Sequence, residues 1–131
     1  MVSDTIGDLI IRLKNAGMVK KLTVEVPYSK LRHAIADKLV ACGYLDTVTV
    51  TGEGVAKTLQ LHLRYDEQGS HAIRGVQRVS KPGRRLYTKV ADIHPVKFGH
   101  GDLILSTPAG ILTGSEARNA RVGGEQLFII W

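Results

Sequence analysis

The side chains able to do chemistry are scattered rather than grouped. Five histidines, His33, His62, His71, His94 and His100, fall at none of the spacings, such as HxH or HExxH, that bring imidazoles onto one metal. The lone Cys42 supplies no CxxC, so no metal site is expected. Gly99-His100-Gly101-Asp102 and Gly123-Gly124-Glu125 are glycine-rich, yet neither leads into the Gly-Lys-Ser/Thr of a phosphate loop or opens a long helix after a strand. Ser106 and Ser115 lack the GxSxG elbow of a hydrolase serine. Cys42, near the end of an amphipathic helix, reads as a small packed hydrophobe. No cofactor is implied.

What remains suits binding of RNA without transforming it. Residues 68 to 91 hold Arg74, Arg78, Lys81, Arg84, Arg85 and Lys89 with no acidic residue, and the rest of the chain is close to neutral. Like charges so placed repel one another unless an anion neutralises them, and each neutralised phosphate adds salt dependence through counterion release. Ser106-Thr107 in a tight loop and a Gly-Gly-Glu turn, Gly123 to Glu125, can approach the wide, shallow minor groove of duplex RNA and exchange hydrogen bonds with 2′-hydroxyls. Tyr87 can stack on an unpaired base. Each feature also has an ordinary alternative: turn formers at Ser106-Thr107, a helix stop at Gly123-Gly124, packing at Tyr87, and a fortuitously basic hairpin.

The elements that must position these groups follow from periodicity. Ser3 or Asp4 caps a helix with Ile6, Leu9, Ile10 and Leu13 on one face, ending near Gly17. Arg12, Lys14 and Asn15 occupy its other faces. Leu22, Val24 and Val26 alternate as a half-buried strand that stops at Pro27. Ser29 caps a second helix with Leu31, Ala34, Ile35 and Leu39 on one face and Gly43 as its stop. Val48 and Val50 mark a second strand, Gly52-Glu53-Gly54 a turn, and Leu59, Leu61, Leu63 and Tyr65 a third strand. Residues 66 to 70 read as a linker. Beyond it Ile73, Val76 and Val79 suggest a strand, Lys81-Pro82-Gly83 a turn, and Arg85-Leu86-Tyr87 a return, so the basic segment reads as a hairpin. Leu103-Ile104-Leu105 is a buried strand, Thr113 with Glu116 a capping box for a short helix ending at Gly123-Gly124, and residues 125 to 131 a final strand. The fold class is α+β: an N-terminal α/β sandwich in residues 1–67 and a mostly β C-terminal domain with one short helix in residues 68–131.

Composition agrees with a folded, basic chain. In 131 residues, 44% hydrophobic and 23% charged residues leave enough apolar surface to build a core, and the formal charge is +6. Apolar runs stop after a few residues, far short of the roughly 20 that a membrane helix needs. Met1-Val2-Ser3-Asp4 opens neither a basic nor an apolar segment, so no secretory signal is expected. One cysteine fits a reducing compartment, and the expected location is cytoplasmic.

Residues 105 to 125, L-S-T-P-A-G-I-L-T-G-S-E-A-R-N-A-R-V-G-G-E, resemble the signature of the bacterial small-subunit ribosomal protein eight family. Residues 3 to 16 resemble that family's opening helix, P-Y-S-K-L-R at 27 to 32 its entry to helix two, and Q-R-V-S-K-P-G-R-R-L-Y at 77 to 87 its basic hairpin. The resemblance implies a two-domain α+β protein that binds the central domain of 16S ribosomal RNA directly and helps assemble the platform of the 30S subunit. By position it places Ser106, Thr107 and Gly123-Gly124-Glu125 at the RNA groove with Tyr87 beside them, and Ser80, Lys81, Arg84 and Arg85 near phosphates. Lys30 and Arg32 would meet a second RNA element, and Arg12, Lys14 and Asn15 on the first helix are further candidates for RNA contact. Implied partners are small-subunit proteins five and twelve and the chain's own messenger RNA, with no membrane and no homo-oligomer.

The chain departs from the family pattern at Pro108, where a second Ser is usual, and at Gly114, where an Asp is usual. His100 and Asp102 stand where apolar residues are usual. The RNA site is expected to persist with one contact altered. A different class, a basic nucleic-acid-processing enzyme with Glu125 and a histidine as acid and base, is the alternative. A DNA-binding regulator lacks an identifiable recognition helix.

Overall fold

The computed structural model describes residues 4–96 and 100–131. Ser3, one of the two cap residues expected, and Gly99 lie outside them. In chain order the elements are α1 (Thr5–Met18), β1 (Thr23–Pro27), α2 (Lys30–Ala41), β2 (Leu45–Thr51), β3 (Thr58–Leu63), β4 (Val76–Arg78), β5 (Tyr87–Thr88), β6 (Asp102–Thr107), β7 (Gly110–Thr113), α3 (Gly114–Ala120) and β8 (Gly124–Ile130). Three α-helices and two antiparallel sheets make an α+β fold. No helix among the described residues is long and apolar enough to cross a membrane. The chain divides into two compact units: Leu9–Arg74, and Gly75–Trp131 with the segment ending at Asp8.

In the Leu9–Arg74 unit β3 is the centre of a three-stranded sheet, order β1-β3-β2. Its period-two pattern turns Leu59, Leu61 and Leu63 inward. Leu9, Ile10, Leu13 and Ala16 of α1 and Ile35, Ala36 and Leu39 of α2 complete the core. Each large side chain so buried contributes about 1.5–3 kcal/mol. The Ser29 hydroxyl caps α2 by accepting the Arg32 N–H at 3.0 Å, Cys42 ends the helix, and Gly43 follows at φ 87°. Two apolar residues expected inside are exposed. Leu22 precedes β1 instead of opening it, and Leu31 sits in the first turn of α2, whose buried face runs through Ile35, Ala36 and Leu39.

The second unit is a sheet in the order β4-β8-β6-β7, with β5 also pairing with β8. One core cluster joins Ile93, Leu103, Leu105 and Ala117, so α3 covers one sheet face. Thr113 and Glu116 form the capping box: the Thr113 hydroxyl accepts the Glu116 N–H at 3.2 Å and the Glu116 carboxylate accepts the Thr113 N–H at 3.0 Å. The helix stops earlier than expected. Ala120 is its last residue, and Arg121 takes the left-handed conformation at φ 56°, leaving Gly123-Gly124 free for another role.

The basic segment is not a hairpin of mutually paired strands. β4 and β5 both run antiparallel to β8, end to end along one of its edges: Val76, Gln77 and Arg78 face Ile130, Ile129 and Phe128, while Tyr87 and Thr88 face Glu125 and Gly124. Residues 81–85 leave the sheet between them as an arch. The Pro82-Gly83 turn makes a single cross-bridge, Lys81 to Arg84, and beyond it hydrogen bonding to one shared partner strand takes the place of a paired hairpin.

Candidate nucleic-acid interface

Sheet register brings together residues far apart in sequence. Ser106 on β6 faces Glu125 on β8, and Glu125 faces Tyr87 on β5, forming one row across three strands. Directly opposed residues project to the same face. Leu105 belongs to the core cluster under α3, so by alternation Ser106 turns the other way. The register between β6 and β8 shifts after the Ile104–Phe128 pair, so that Leu105 meets Gln126 and Leu127 is the extra residue of a bulge on β8. Glu125 therefore reaches Ser106 rather than Thr107.

Gly123 and Gly124 permit the close packing of these strands. A Cβ on Gly124 would stand 2.2 Å from the Ser106 carbonyl oxygen, and one on Gly123 would stand 2.3 Å from that of Thr88. Both clashes are with backbone, which cannot swing aside. The paired glycines are thus a steric requirement of the row, not the helix stop.

The groups in the row and in the turn that follows Ser106 differ in what they can still offer. The Thr107 hydroxyl donates to the Gly110 carbonyl at 2.8 Å and accepts the Ala109 N–H at 3.1 Å, closing the turn around Pro108; what remains is an acceptor lone pair. Glu125 is held by Arg85, Nη1 to Oε2 at 3.1 Å, with the Glu125 side chain only 16% exposed and the Arg85 side chain 47% exposed. The pair leaves carboxylate lone pairs for a donor on a ligand. Tyr87 is 70% exposed.

At the arch, Lys81, Arg84 and Arg85 are exposed. Lys81 and Arg84 exchange both backbone hydrogen bonds at 2.9 Å around Pro82-Gly83. Ser80, expected near phosphates, is instead fully buried, and its hydroxyl is bonded within the chain.

Arg78 is also withdrawn from the basic surface. Its Nε donates to Asp4 Oδ2 at 3.0 Å, its Nη2 donates to Asp4 Oδ1 at 3.1 Å, and its Nη1 donates to the Leu127 carbonyl. Asp4 also caps α1, Oδ1 accepting the Gly7 N–H at 2.9 Å. Burial works to raise the Asp4 carboxyl. The Arg78 hydrogen bond, the Gly7 N–H and the charges of Arg78 and Arg85 outweigh it and hold the group below the usual carboxylate value. Sequence reasoning had no signal for this pair, whose members lie far apart in the chain.

In the Leu9–Arg74 unit, Arg12 and Asn15 line an open groove of about 430 Å³ with Val19, Lys21 and Glu25. Lys14 is half-buried on the same helix. Lys30 is exposed at the start of α2, and Arg32 donates from Nη1 to the Pro27 carbonyl at 3.2 Å; neither lines that groove. Among the described residues no cluster of three or more His, Cys, Asp or Glu could hold a metal ion.

A family model described as ribosomal protein S8 matches residues 4–131. A protein of Chloroflexus aggregans named small ribosomal subunit protein uS8 is 48% identical over 131 residues, covering 99% of this chain and 98% of that protein. A protein of Chlorobium limicola with the same name is 46% identical over 130 residues, with the same coverage of each chain. One from Campylobacter lari, again so named, is 40% identical over the full length of both.

Proposed function

The chain belongs to the ribosomal protein S8 family, and on that premise we propose that it is a structural, non-catalytic constituent of the small ribosomal subunit that binds ribosomal RNA directly. Its target on this reading is the central domain of 16S ribosomal RNA, where it helps assemble the 30S platform in the cytoplasm. The observation that carries the reading is the Ser106–Glu125–Tyr87 row with a basic arch beside it on the same strand. Ser106, Thr107 and Glu125 supply a hydroxyl, a lone pair and a carboxylate at fixed spacing to the shallow groove, with Gly123-Gly124 permitting the close approach. Tyr87 stacks on a splayed base, and Lys81, Arg84 and Arg85 attract phosphates. Lys30 and Arg32 meet a second RNA element, and Arg12, Lys14 and Asn15 on α1 add RNA contacts of their own. Small-subunit proteins five and twelve are its neighbours, and binding to its own messenger RNA represses translation.

Glu125 as an acid or base in catalysis has less support, because its carboxylate is engaged by Arg85 and no histidine hydrogen-bond to it is found among the described residues. The test is equilibrium binding to a central-domain 16S fragment and to a scrambled hairpin of equal length. Preference for the fragment, with a steep fall in affinity as salt rises, is expected. Equal affinity for both RNAs would sink the reading.

A further inference from the structure

We propose that Ser80 is a positioning residue for RNA binding: its buried hydroxyl ties the two feet of the 81–85 arch and so sets where the arch holds Lys81 and Arg84. The inference rests on the RNA-binding reading above and assigns Ser80 a role distinct from contact. A side chain with no exposed surface cannot touch a phosphate.

The geometry is that of a clasp. Ser80 Oγ accepts the Leu86 N–H at 2.9 Å and donates to the Leu86 carbonyl at 3.1 Å, so one hydroxyl meets both backbone groups of the residue where the arch returns. On the β8 side, the Ser80 N–H donates to the Gln126 carbonyl at 3.0 Å and the Gln126 N–H donates to the Leu86 carbonyl at 2.8 Å. The feet are therefore held twice, through Gln126 and directly through Ser80. The arch carries three exposed cations, which repel one another and would splay a loop tied only at its base on β8. At the arch's outer end, the backbone tie among the described residues is the Lys81–Arg84 exchange around Pro82-Gly83. Removing Oγ leaves the Leu86 N–H without this acceptor and loosens the returning strand, then held through Gln126 alone, just before Tyr87 and beside Arg85, the partner of Glu125. One small hydroxyl thus links the placement of the basic arch to that of the row.

The test measures binding to the central-domain fragment and to the scrambled hairpin across a salt series. The proteins are the unaltered chain, Ser80→Ala, the Lys81→Gln/Arg84→Gln pair and the triple variant, with thermal unfolding recorded for each. Ser80→Ala is expected to unfold cooperatively and to lose about tenfold in fragment affinity. Its slope of log affinity against log salt should shrink by roughly 0.7 to 1.8, the share of one or two phosphates. The triple variant should have the same slope as the charge pair, since with both cations gone the clasp has neither left to place. Ser80→Thr, which keeps the hydroxyl, should restore most of the slope. An unchanged slope in Ser80→Ala, or slope losses that add in the triple variant, overturns the proposal while leaving the RNA reading intact. If the alanine variant fails to fold, Ser80→Cys serves, because sulfur bonds weakly at nearly the same volume; an intermediate slope supports the clasp and an unaltered slope overturns it. An unaltered chain that binds both RNAs equally overturns the RNA reading and this proposal with it.

Discussion

The 81–85 arch and the Ser106–Glu125–Tyr87 row share one strand, β8, but the protein constrains them in opposite ways. The arch leaves the sheet and exposes Lys81, Arg84 and Arg85 on long, flexible stems. The row is fixed by register on three strands, by a bulge at Leu127 and by two glycines that admit neighbouring carbonyls. Cations act over a Debye length of about 8–10 Å and tolerate imprecise placement, whereas hydrogen bonds weaken steeply with a few tenths of an ångström. The more rigid construction is found where the neutral groups and the carboxylate are. On the proposed function the difference separates attraction from discrimination, the first falling to the arch and the second to the row.

The largest separation of the two is expected from Gly124→Ala. The added Cβ meets the Ser106 carbonyl oxygen and lies 3.0 Å from Thr107 Cγ2, so β6 and β8 must move apart where the row crosses them. A stability loss of about 1–3 kcal/mol, read from urea unfolding, is the cost of such overpacking. Discrimination between central-domain and scrambled RNA should fall by about 2–4 kcal/mol, since more than one hydrogen-bonding group is displaced. The salt slope should stay put, because no cation moves. A variant that keeps its preference for the central-domain fragment would break the comparison at its strongest point.

How much of this was legible in the sequence depends on distance along the chain. The Ser29 cap, the Thr113–Glu116 box and the inward leucines of β3 were read correctly because each is written within a few residues. The site residues were named one at a time, from residue type and resemblance. Their arrangement in a row was not readable, because Tyr87, Ser106 and Glu125 meet only through pairing whose register depends on a bulge. The hairpin was misjudged for a related reason: a strong Pro-Gly turn dictates a reversal locally, but not which strand the flanking residues pair with. Ser80 and Arg78 looked like parts of a solvated basic segment, and only burial distinguishes them from Lys81 and Arg84. Likewise Gly123-Gly124 sits where a helix stop is plausible, and only the carbonyls of Thr88 and Ser106 show why side chains are excluded.

A smaller and more selective effect is expected at the row and the turn beside it. Thr107→Val removes the acceptor lone pair and the turn's two hydrogen bonds, while Glu125→Gln keeps shape and removes charge. Each should weaken central-domain RNA by about 1–3 kcal/mol and a random duplex far less. Equal losses on both RNAs, measured by direct titration, would merge the row with the arch as a second electrostatic surface. Glu125→Gln sharpens the point further, since removing a negative charge should strengthen any contact governed by charge alone.

The smallest effect on RNA is expected at Arg78, although it is as basic as its neighbours in the chain. Its side chain is 11% exposed and its guanidinium is engaged by Asp4 and the Leu127 carbonyl, so Arg78→Gln should leave the salt slope unchanged. The consequence should appear in stability instead, at about 1 kcal/mol once solvent screening of the partly exposed Asp4 is allowed for. Acid titration checks the same pair. Asp4 is held below its ordinary value of 3.8, so the unfolded chain takes up the proton first. The stabilisation is therefore complete above about pH 3.8 and is lost as pH falls through the folded value. His71, in the other unit, gives an earlier loss: burial lowers its pKa, a bond to the Ile73 backbone opposes this only in part, and Nε2 is buried without a partner. Below its ordinary 6.5 the unfolded imidazole protonates while the folded one resists, so stability declines from there toward the folded value. Arg78→Gln should abolish only the Asp4 portion of the unfolding profile, below about pH 3.8. A change in the salt slope instead would return Arg78 to the RNA surface and make burial a poor guide to which cations serve the arch.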